Sequence, residues 1–309
     1  MRDSHCGADL LLDALTLLSG AVQEFWRCAV RELSRRVENM EYPVFYSWQN
    51  DLPKKCNRTL IREALEAAIR NVLAEFRVED SPRVDSGMEG IAGSPEVASI
   101  MFEKIDRCAL FVADTTLVGT IVPVNPDDEK KRVPNPNVSL EMGYAAARIG
   151  WDRVICVMNE HYGLRKDLPF DVRNRRFPID YTLDPDKMES KDKVKEQLTK
   201  WLTTAISTAV QNENLAVDDA IERLDANCIR ILQANCQTLY FHIREPKNRG
   251  EQFDAVSVTS AIARLLDLKI LRYNFALVDV GHHWAYHWTY VGKLVLKKMG
   301  MSDLTITRP

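Results

Sequence analysis

The sequence predicts an α/β protein with a parallel sheet flanked by helices, followed by a smaller unit with a different pattern. From residue 43 onward, short β-rich runs alternate with longer segments of helical periodicity, which is typical of βαβ units. Two runs, ALFVADTT (109–116) and RVICVMN (153–159), are largely apolar, as expected of buried strands. With 309 residues, 46% of them hydrophobic, the chain is long enough for two domains.

The predicted elements of the α/β domain, residues 41–212, follow one another in a regular order. The predicted strands are PVFYSW (43–48), ALFVADTT and RVICVMN. The predicted helices are residues 57–76, which Asn57 could cap, 97–108, 137–150 and 192–210. Residues 117–134, charged and rich in proline, are expected to form a mobile loop beside the sheet. A polar stretch, QNENLAVDD (211–219), is expected to link this domain to the next.

Two further segments flank this domain. Residues 1–40 are expected to form a helical arm, because apolar residues recur there at helical spacing. The polar face of this arm is mixed in sign, which favours packing on the next domain or a second subunit over a membrane role. Residues 213–309 read as two helices, a strand pair and a last helix, a pattern that indicates a smaller α+β winged-helix-like domain.

Charge and cysteine content narrow the class of protein. The net charge of −3 gives no overall sign of nucleic-acid binding, although a local basic face is compatible with it. The seven cysteines include no CxxC pair, so we expect reduced thiols, no metal site and a cytoplasmic location. No apolar run reaches the roughly 18–20 residues that cross a bilayer, so no membrane partner is expected.

The most informative stretch is NPNVSLEMGYAAARI (135–149), which predicts an amphipathic helix after an Asn/Pro-rich turn. Asn135 or Asn137 can cap this helix, and Pro136 suits its first position. Glu141 then lies within about one and a half turns of the helix start. The helix dipole at that end favours the ionised carboxylate.

A helical wheel places Glu141, Tyr144 and Arg148 together, to one side of the apolar stripe. A purely structural helix gains nothing from this trio. One carboxylate near the start of a helix is an arrangement suited to a ribosyl cation, because it can stabilise positive charge that develops on the anomeric carbon. Asn137 and Tyr144 are therefore candidate substrate-binding residues beside Glu141.

Candidate binding residues also follow two predicted strands. In parallel sheets, sites form at the carboxyl ends of the strands. Four segments are therefore expected to converge on one crevice: YSWQND (46–51), GSP (93–95), ADTT (113–116) and the helix that carries Glu141. Tyr46, Ser47 and Trp48 end the first strand and are candidate substrate-binding residues.

Each of these residues also has a structural interpretation. Trp48 could stack on a base or nicotinamide ring or pack into the core, and Ser47 could bond a phosphate or a ribose hydroxyl. Asp114 could bond a ribose hydroxyl or only form a turn. Arg58 and Arg62, on the first predicted helix, could meet a phosphate or simply be exposed.

Taken together, these residues resemble a known superfamily. FYSW (45–48), GSP (93–95), Asp114 and the element Asn137-Val138-x-x-Glu141-x-Gly143-Tyr144-Ala145 are similar to motifs of the TIR-like and nucleoside 2-deoxyribosyltransferase-like superfamily. The resemblance covers about residues 43–180 and implies a flavodoxin-like or TIR-like sheet. It also implies cleavage of N-glycosidic bonds in NAD(P) or nucleosides through one glutamate, here Glu141, in a bacterial anti-phage effector.

The chemistry of the leaving group separates the substrate classes. Nicotinamide in NAD is already cationic and leaves with little acid catalysis, whereas a neutral base needs a proton donor. No second acid stands at motif spacing to Glu141, which favours NAD as the substrate, with no cofactor; Asp114 remains a candidate acid. The alternatives are a nucleoside or nucleotide N-glycosidase, a deoxyribosyltransferase-like toxin of a retron-type system, and a non-catalytic nucleotide-binding sensor.

The C-terminal unit carries an unusual cluster, HHWAYHW (282–288). Strand alternation places His283, Ala285 and His287 on one face and Trp284, Tyr286 and Trp288 on the other. We expect the aromatic rings to pack and the histidines to face solvent or nucleic acid. The unit is a candidate site for nucleic acid, a nucleoprotein or a protein partner, and the active form is expected to be an oligomer.

Overall fold

The computed structural model describes residues 42–76, 82–85, 97–125, 127, 130–174, 178–238, 240–242, 255–278 and 281–301. The predicted helical arm and the GSP turn lie outside these residues. The strands are β1 (Tyr42–Ser47), β2 (Pro82–Asp85), β3 (Leu110–Asp114), β4 (Leu117–Ile121), β5 (Lys131–Pro134), β6 (Val154–Asn159), β7 (Ile179–Tyr181), β8 (Tyr240–Phe241), β9 (Leu271–Val278) and β10 (Gly281–Trp288). The helices are α1 (Arg58–Phe76), α2 (Val97–Arg107), α3 (Pro136–Ile149), α4 (Phe170–Arg173), α5 (Lys191–Glu222), α6 (Ala226–Asn235), α7 (Ala255–Asp267) and α8 (Tyr290–Lys298).

The centre of the protein is a five-stranded parallel sheet in the order β2-β1-β3-β6-β7. Counting only these five strands, the order is 2-1-3-4-5, which is that of flavodoxin-like doubly wound sheets. The predicted α/β class is confirmed. Strands β2 and β7 were not predicted, because each is short and has polar neighbours.

Helices cover both faces of this sheet because its central strands are apolar on both sides. On one face, Val44 and Val112 contact the buried stripe of α1 and α5, including Leu65 and Leu202. On the other face, Phe45 and Phe111 stack at 5.5 Å and pack against α2 and α3. Successive residues of β1 therefore serve opposite layers, as strand alternation requires.

Two of the predicted connections are wrong. The expected mobile loop over 117–134 contains an antiparallel ribbon of β4 and β5, anchored by the buried side chain of Leu117. The expected linker, residues 211–219, lies inside the continuous helix α5. Glu213 and Val217 are buried on the same side of α5 as Ala209, so the stretch is polar in composition but packed along one stripe.

The C-terminal unit contains α6, α7 and a three-stranded antiparallel sheet in the order β8-β10-β9, followed by α8. The predicted strand pair and final helix are confirmed. The end of α5 contributes Val217 and Ala220 to the core of this unit. At Gly292 of α8, an added Cβ would lie 2.1 Å from the carbonyl oxygen of Ile270, so only glycine allows this close approach.

Aromatic packing in this unit follows the prediction in part. Tyr286 and Trp288 pack on Phe241, with ring centroids 5.7 and 5.5 Å apart. His287, expected to face solvent or nucleic acid, is half-buried instead, and its burial lowers its pKa to about 4. It pairs in register with Arg272, whose guanidinium binds Asp106 of α2. This face of the sheet therefore packs against the α/β domain; the side chains of His282, His283 and Trp284 lie outside the described residues.

Candidate functional site

A cavity of about 380 Å³ opens at the carboxyl end of β1, where its lining comes from β1, α2 and the start of α3. The lining residues are 46–51, Met101, Asn135, Asn137 and Glu141. This is the point at which the strand order reverses between β1 and β3, the usual ligand position in doubly wound sheets. The volume lies within the roughly 300–1,000 Å³ typical of small-molecule sites.

The main polar contact of the cavity joins β1 to α3. The Ser47 hydroxyl donates a hydrogen bond to a Glu141 carboxylate oxygen, with 2.6 Å between the two oxygens. Strand alternation points Ser47 toward α3, and Glu141 lies on the cavity side of that helix. Two residues 94 positions apart in the chain, both predicted as site residues, therefore meet.

Burial raises the pKa of the Glu141 carboxyl, and the hydrogen bond from Ser47 opposes this rise. The sequence-based expectation that the helix dipole favours the ionised form is therefore outweighed by desolvation. A carboxylate with a raised pKa binds protons and cations more tightly than an exposed one. Burial thus makes the ionised form of Glu141 more costly than that of an exposed glutamate.

The start of α3 is fixed by Asn135, which confirms one of the two predicted caps. Its Oδ1 accepts hydrogen bonds from the backbone N–H groups of Asn137 and Val138, at 2.9 and 3.2 Å. Its Nδ2 donates to Asp51 Oδ2 at 2.6 Å. Asn137 is exposed and lines the cavity at the start of the helix.

Asp51 lies in the segment YSWQND (46–51) that was expected at the crevice, but it was not among the predicted site residues. It belongs to the cavity lining and brings a second carboxylate to the site beside Glu141. A search for acids at motif spacing to Glu141 could not find it, because the two residues lie on different elements. The available signal was its place at the end of YSWQND, directly after the first strand.

Asp114, a predicted substrate-binding residue, does not line the cavity; it contacts Gln49, which does. Its side chain is fully buried, with Oδ1 accepting from the Thr116 hydroxyl at 2.6 Å and Oδ2 from Gln49 Nε2 at 3.1 Å. The Oε1 atom of Gln49 in turn accepts from the N–H of Leu52. Burial raises the pKa of Asp114 to about 6. Asp114 therefore positions the loop that carries Trp48 and Asp51.

Trp48 lines the cavity, but one face of its indole ring is already covered. The guanidinium carbon of Arg58 lies 3.3 Å from the ring centroid, a close cation–π contact. Arg58 also donates to Asn50 Oδ1 at 3.5 Å. The predicted stacking role of Trp48 is therefore restricted to whatever part of the ring the cavity exposes.

Of two further predicted residues, Tyr46 is at the cavity only as a buried lining residue, and Tyr144 lies outside it. Tyr46 is 1% exposed and its hydroxyl lies 3.5 Å from the Arg58 carbonyl oxygen, so its ring belongs to the core on the opposite face of the sheet. Tyr144 does not line the cavity. Its hydroxyl donates to Asp106 at 3.2 Å, and its ring packs on Phe102 with 4.2 Å between the centroids.

The cavity thus presents a half-buried carboxylate, a hydroxyl bonded to it, a second carboxylate, three asparagines and an indole ring. Within the described ranges, no group of three or more His, Cys, Asp and Glu side chains is placed to hold a metal ion. Searching the same ranges finds no helix with the length and apolar character to span a bilayer. In comparisons with known proteins, the chain matches no protein-family model, and no curated protein shows significant similarity to it.

Proposed function

We propose that this chain is an enzyme that hydrolyses the N-glycosidic bond of NAD(P), with Glu141 as the catalytic carboxylate. The observation that carries the proposal is the position of Glu141: half-buried, in a 380 Å³ cavity at the switch point of the sheet, with one oxygen held by Ser47 at 2.6 Å. A fixed, partly desolvated carboxylate interacts more strongly with a developing cation than a solvated one does.

The reaction needs little beyond that carboxylate. The bond between ribose C1′ and the pyridinium nitrogen breaks with its electron pair moving to nitrogen, so nicotinamide leaves neutral and needs no proton. Positive charge develops on C1′, where ionised Glu141 stabilises it or captures it as a glycosyl ester. Water then adds its oxygen to C1′ and releases one proton; where the glycosyl ester has formed, its C1′–O bond breaks and the electron pair returns to the Glu141 carboxylate. The products are ADP-ribose, nicotinamide and a proton.

Ser47 serves this step as a positioning residue. Its hydrogen bond fixes the orientation of the Glu141 carboxylate and favours the charged form, against the desolvation that favours protonation. The positive charge of the nicotinamide ring also favours the ionised form of Glu141 when the ring enters the cavity. A substrate that is itself positively charged therefore assists the ionisation of the residue that attacks it.

One observation favours a second substrate class. Asp51 places another carboxyl group at the cavity, and a neutral nucleobase needs a proton donor in order to leave. A nucleoside or nucleotide N-glycosidase, or a deoxyribosyltransferase-like toxin of a retron-type system, would use Asp51 in that role. The third alternative, a non-catalytic nucleotide-binding sensor, uses the same cavity without bond cleavage.

The wider biological role belongs to the same proposal. We assign the chain to the TIR-like and nucleoside 2-deoxyribosyltransferase-like superfamily on the residues that resemble it, and infer an anti-phage effector that works in the cytoplasm as an oligomer. The C-terminal unit, with its two helices, hairpin and final helix, is interpreted as a winged-helix-like domain that controls activation through nucleic acid or a protein partner.

The test is nucleotide profiling by mass spectrometry in cells that express the wild type, Glu141→Gln or Glu189→Gln, with and without phage challenge. Glu189 is an exposed glutamate outside the cavity and serves as the matched control. We expect loss of NAD and release of nicotinamide in the wild type and the control, and an intact NAD pool in Glu141→Gln.

Other results redirect or overturn the proposal. Depletion of a different nucleotide, again dependent on Glu141, moves the substrate to the second class. Unchanged nucleotide pools under every condition, together with normal signalling by Glu141→Gln, would leave the sensor as the remaining explanation.

A further inference from the structure

A second cavity, of about 340 Å³, has Arg58 in its lining, and Arg58 contacts residues that line the first cavity. The second cavity is lined by Lys54, Arg58, Thr59, Arg62, Glu63 and Glu66, all at or near the start of α1. Arg58 belongs to both neighbourhoods, because its guanidinium covers Trp48 and bonds Asn50, two residues of the first cavity. A ligand that extends out of the first cavity past Trp48 therefore meets this cationic wall.

The charges around the second cavity are unbalanced in favour of cations. Of its two carboxylates, Glu66 accepts a hydrogen bond from Arg62 at 3.1 Å. Glu63 lies 3.9 Å from the amino group of Lys191 and 3.4 Å from that of Lys195, both on α5. Each acidic group is thus already neutralised by a basic partner.

Two cations remain without a carboxylate partner in the described part of the chain. Lys54 is exposed at the rim. Arg58 is only partly exposed, and its contacts, an indole ring and an amide oxygen, carry no negative charge. Arginines are almost never fully buried unless they are paired, and Arg58 is partly withdrawn from water without an anionic partner. An arginine that is held against Trp48 and lacks its anion is positioned to receive one from a ligand.

We propose that this second cavity binds the phosphate groups of the substrate, so that the enzyme acts on nucleotides and not on nucleosides. The inference rests on the proposed function for the position of the ribose, which the first cavity would hold beside Glu141. Phosphates are joined to that ribose through C5′ and would pass over Arg58 toward Lys54 and Arg62. Arginine suits this task because its planar fork binds two phosphate oxygens at once.

The binding part of the test does not depend on catalysis. The affinity of the full-length protein for ADP is measured by isothermal titration calorimetry in the wild type, in Lys54→Gln and in Lys54→Gln combined with Arg62→Gln. We expect the single change to weaken ADP binding about fivefold and the double change about tenfold or more. The matched control is Arg70→Gln, which alters an exposed arginine about 12 Å beyond Arg62 along α1 and should leave ADP binding unchanged.

The kinetic part compares two substrates that differ in phosphate content. The double variant should lower kcat/KM for NAD about tenfold or more and leave that for nicotinamide riboside within about twofold of wild type. Equal losses on both substrates, or undiminished ADP binding in the double variant, would overturn the phosphate site while leaving N-glycosidic cleavage intact. ADP binding that depends on Lys54 and Arg62, with no hydrolysis of either substrate, would overturn N-glycosidic cleavage and retain the phosphate site. The protein would then be a nucleotide-binding sensor.

Discussion

Replacing Asp114 by asparagine tests whether burial of this carboxyl group makes the stability of the protein depend on pH. Asp114 is fully buried and accepts from Thr116 and Gln49, yet its pKa is raised from 3.8 to about 6, because burial outweighs these hydrogen bonds. The folded protein therefore holds a proton on this group that the unfolded chain has already released. Between about pH 4 and pH 6, the contribution of Asp114 to stability falls as the pH rises.

The size of the effect follows from the two pKa values. A difference of about two pH units corresponds to roughly 3 kcal/mol of unfolding free energy, present below about pH 4 and lost above about pH 6. Asparagine does not titrate, so Asp114→Asn lacks this loss. The asparagine amide also replaces a carboxylate next to Gln49, which shifts the unfolding free energy of the variant by an amount that does not depend on pH.

The measurement is urea-induced unfolding of both proteins at intervals from about pH 3.5 to about pH 7.5. We expect the unfolding free energy of Asp114→Asn minus that of the wild type to rise by roughly 3 kcal/mol across this range. Asp152→Asn, at an exposed aspartate, corrects for the loss of one negative charge. A difference in unfolding free energy that stays constant with pH would refute the inference that burial raises the pKa of Asp114 in the folded protein.

Two further predictions concern the contacts of α3 and α2. Ser47→Ala removes the hydrogen bond that favours ionised Glu141, so we expect the pKa of Glu141 to rise further. The acid limb of the pH–rate profile should then move to higher pH, and kcat/KM near pH 7 should fall about tenfold. An acid limb that does not move would contradict this prediction. Asp106→Asn removes the buried carboxylate that lies 2.7 Å from Arg148 and 2.6 Å from Arg272, and should cost about 3 kcal/mol of unfolding free energy in urea titrations. A loss below about 1 kcal/mol, typical of exposed ion pairs, would show that the two arginines are adequately solvated without it.

The parts of the fold that were predictable are those whose sequence pattern is set by burial alone. The central strands β1, β3 and β6 are apolar on both faces, and the helices α1 to α3 carry regular apolar stripes, so their positions follow from periodicity. The edge strands β2 and β7 have four and three residues and a mixed composition, and pairing with a neighbour defines them more than their own sequence does.

Tertiary packing explains why the expected linker is helical. Glu213 looks like a linker residue in the sequence, but in α5 it is 8% exposed and forms an ion pair with Arg153. Val217 and Ala220, the next residues on that stripe, enter the core of the C-terminal unit. A polar composition predicts a linker only when no partner is available for the polar groups, and the sequence does not reveal that Arg153 supplies one.

The candidate site was predictable to the extent that strand alternation and strand order determine it. Ser47 was assigned to the crevice because it ends β1, and it does meet Glu141. Asp51 and Asp114 show the limit of that reasoning. Asp51, in the loop after β1, reaches the cavity, whereas Asp114, the last residue of β3, is buried and accepts a hydrogen bond from Gln49.

The helical wheel grouped Glu141, Tyr144 and Arg148 correctly by angle but ignored their separation along the helix axis. From Glu141 to Arg148 the rise is about 10 Å, so one face of α3 passes from the cavity to α2. Tyr144 and Arg148 both bond Asp106, which also bonds Arg272 of the C-terminal sheet. Two members of the trio, Tyr144 and Arg148, therefore do serve a structural purpose: they join the helix that carries Glu141 to the C-terminal unit. Because Asp106 lies between them, the loss of either arginine alters the charge balance experienced by the other, so their effects on stability should not be additive.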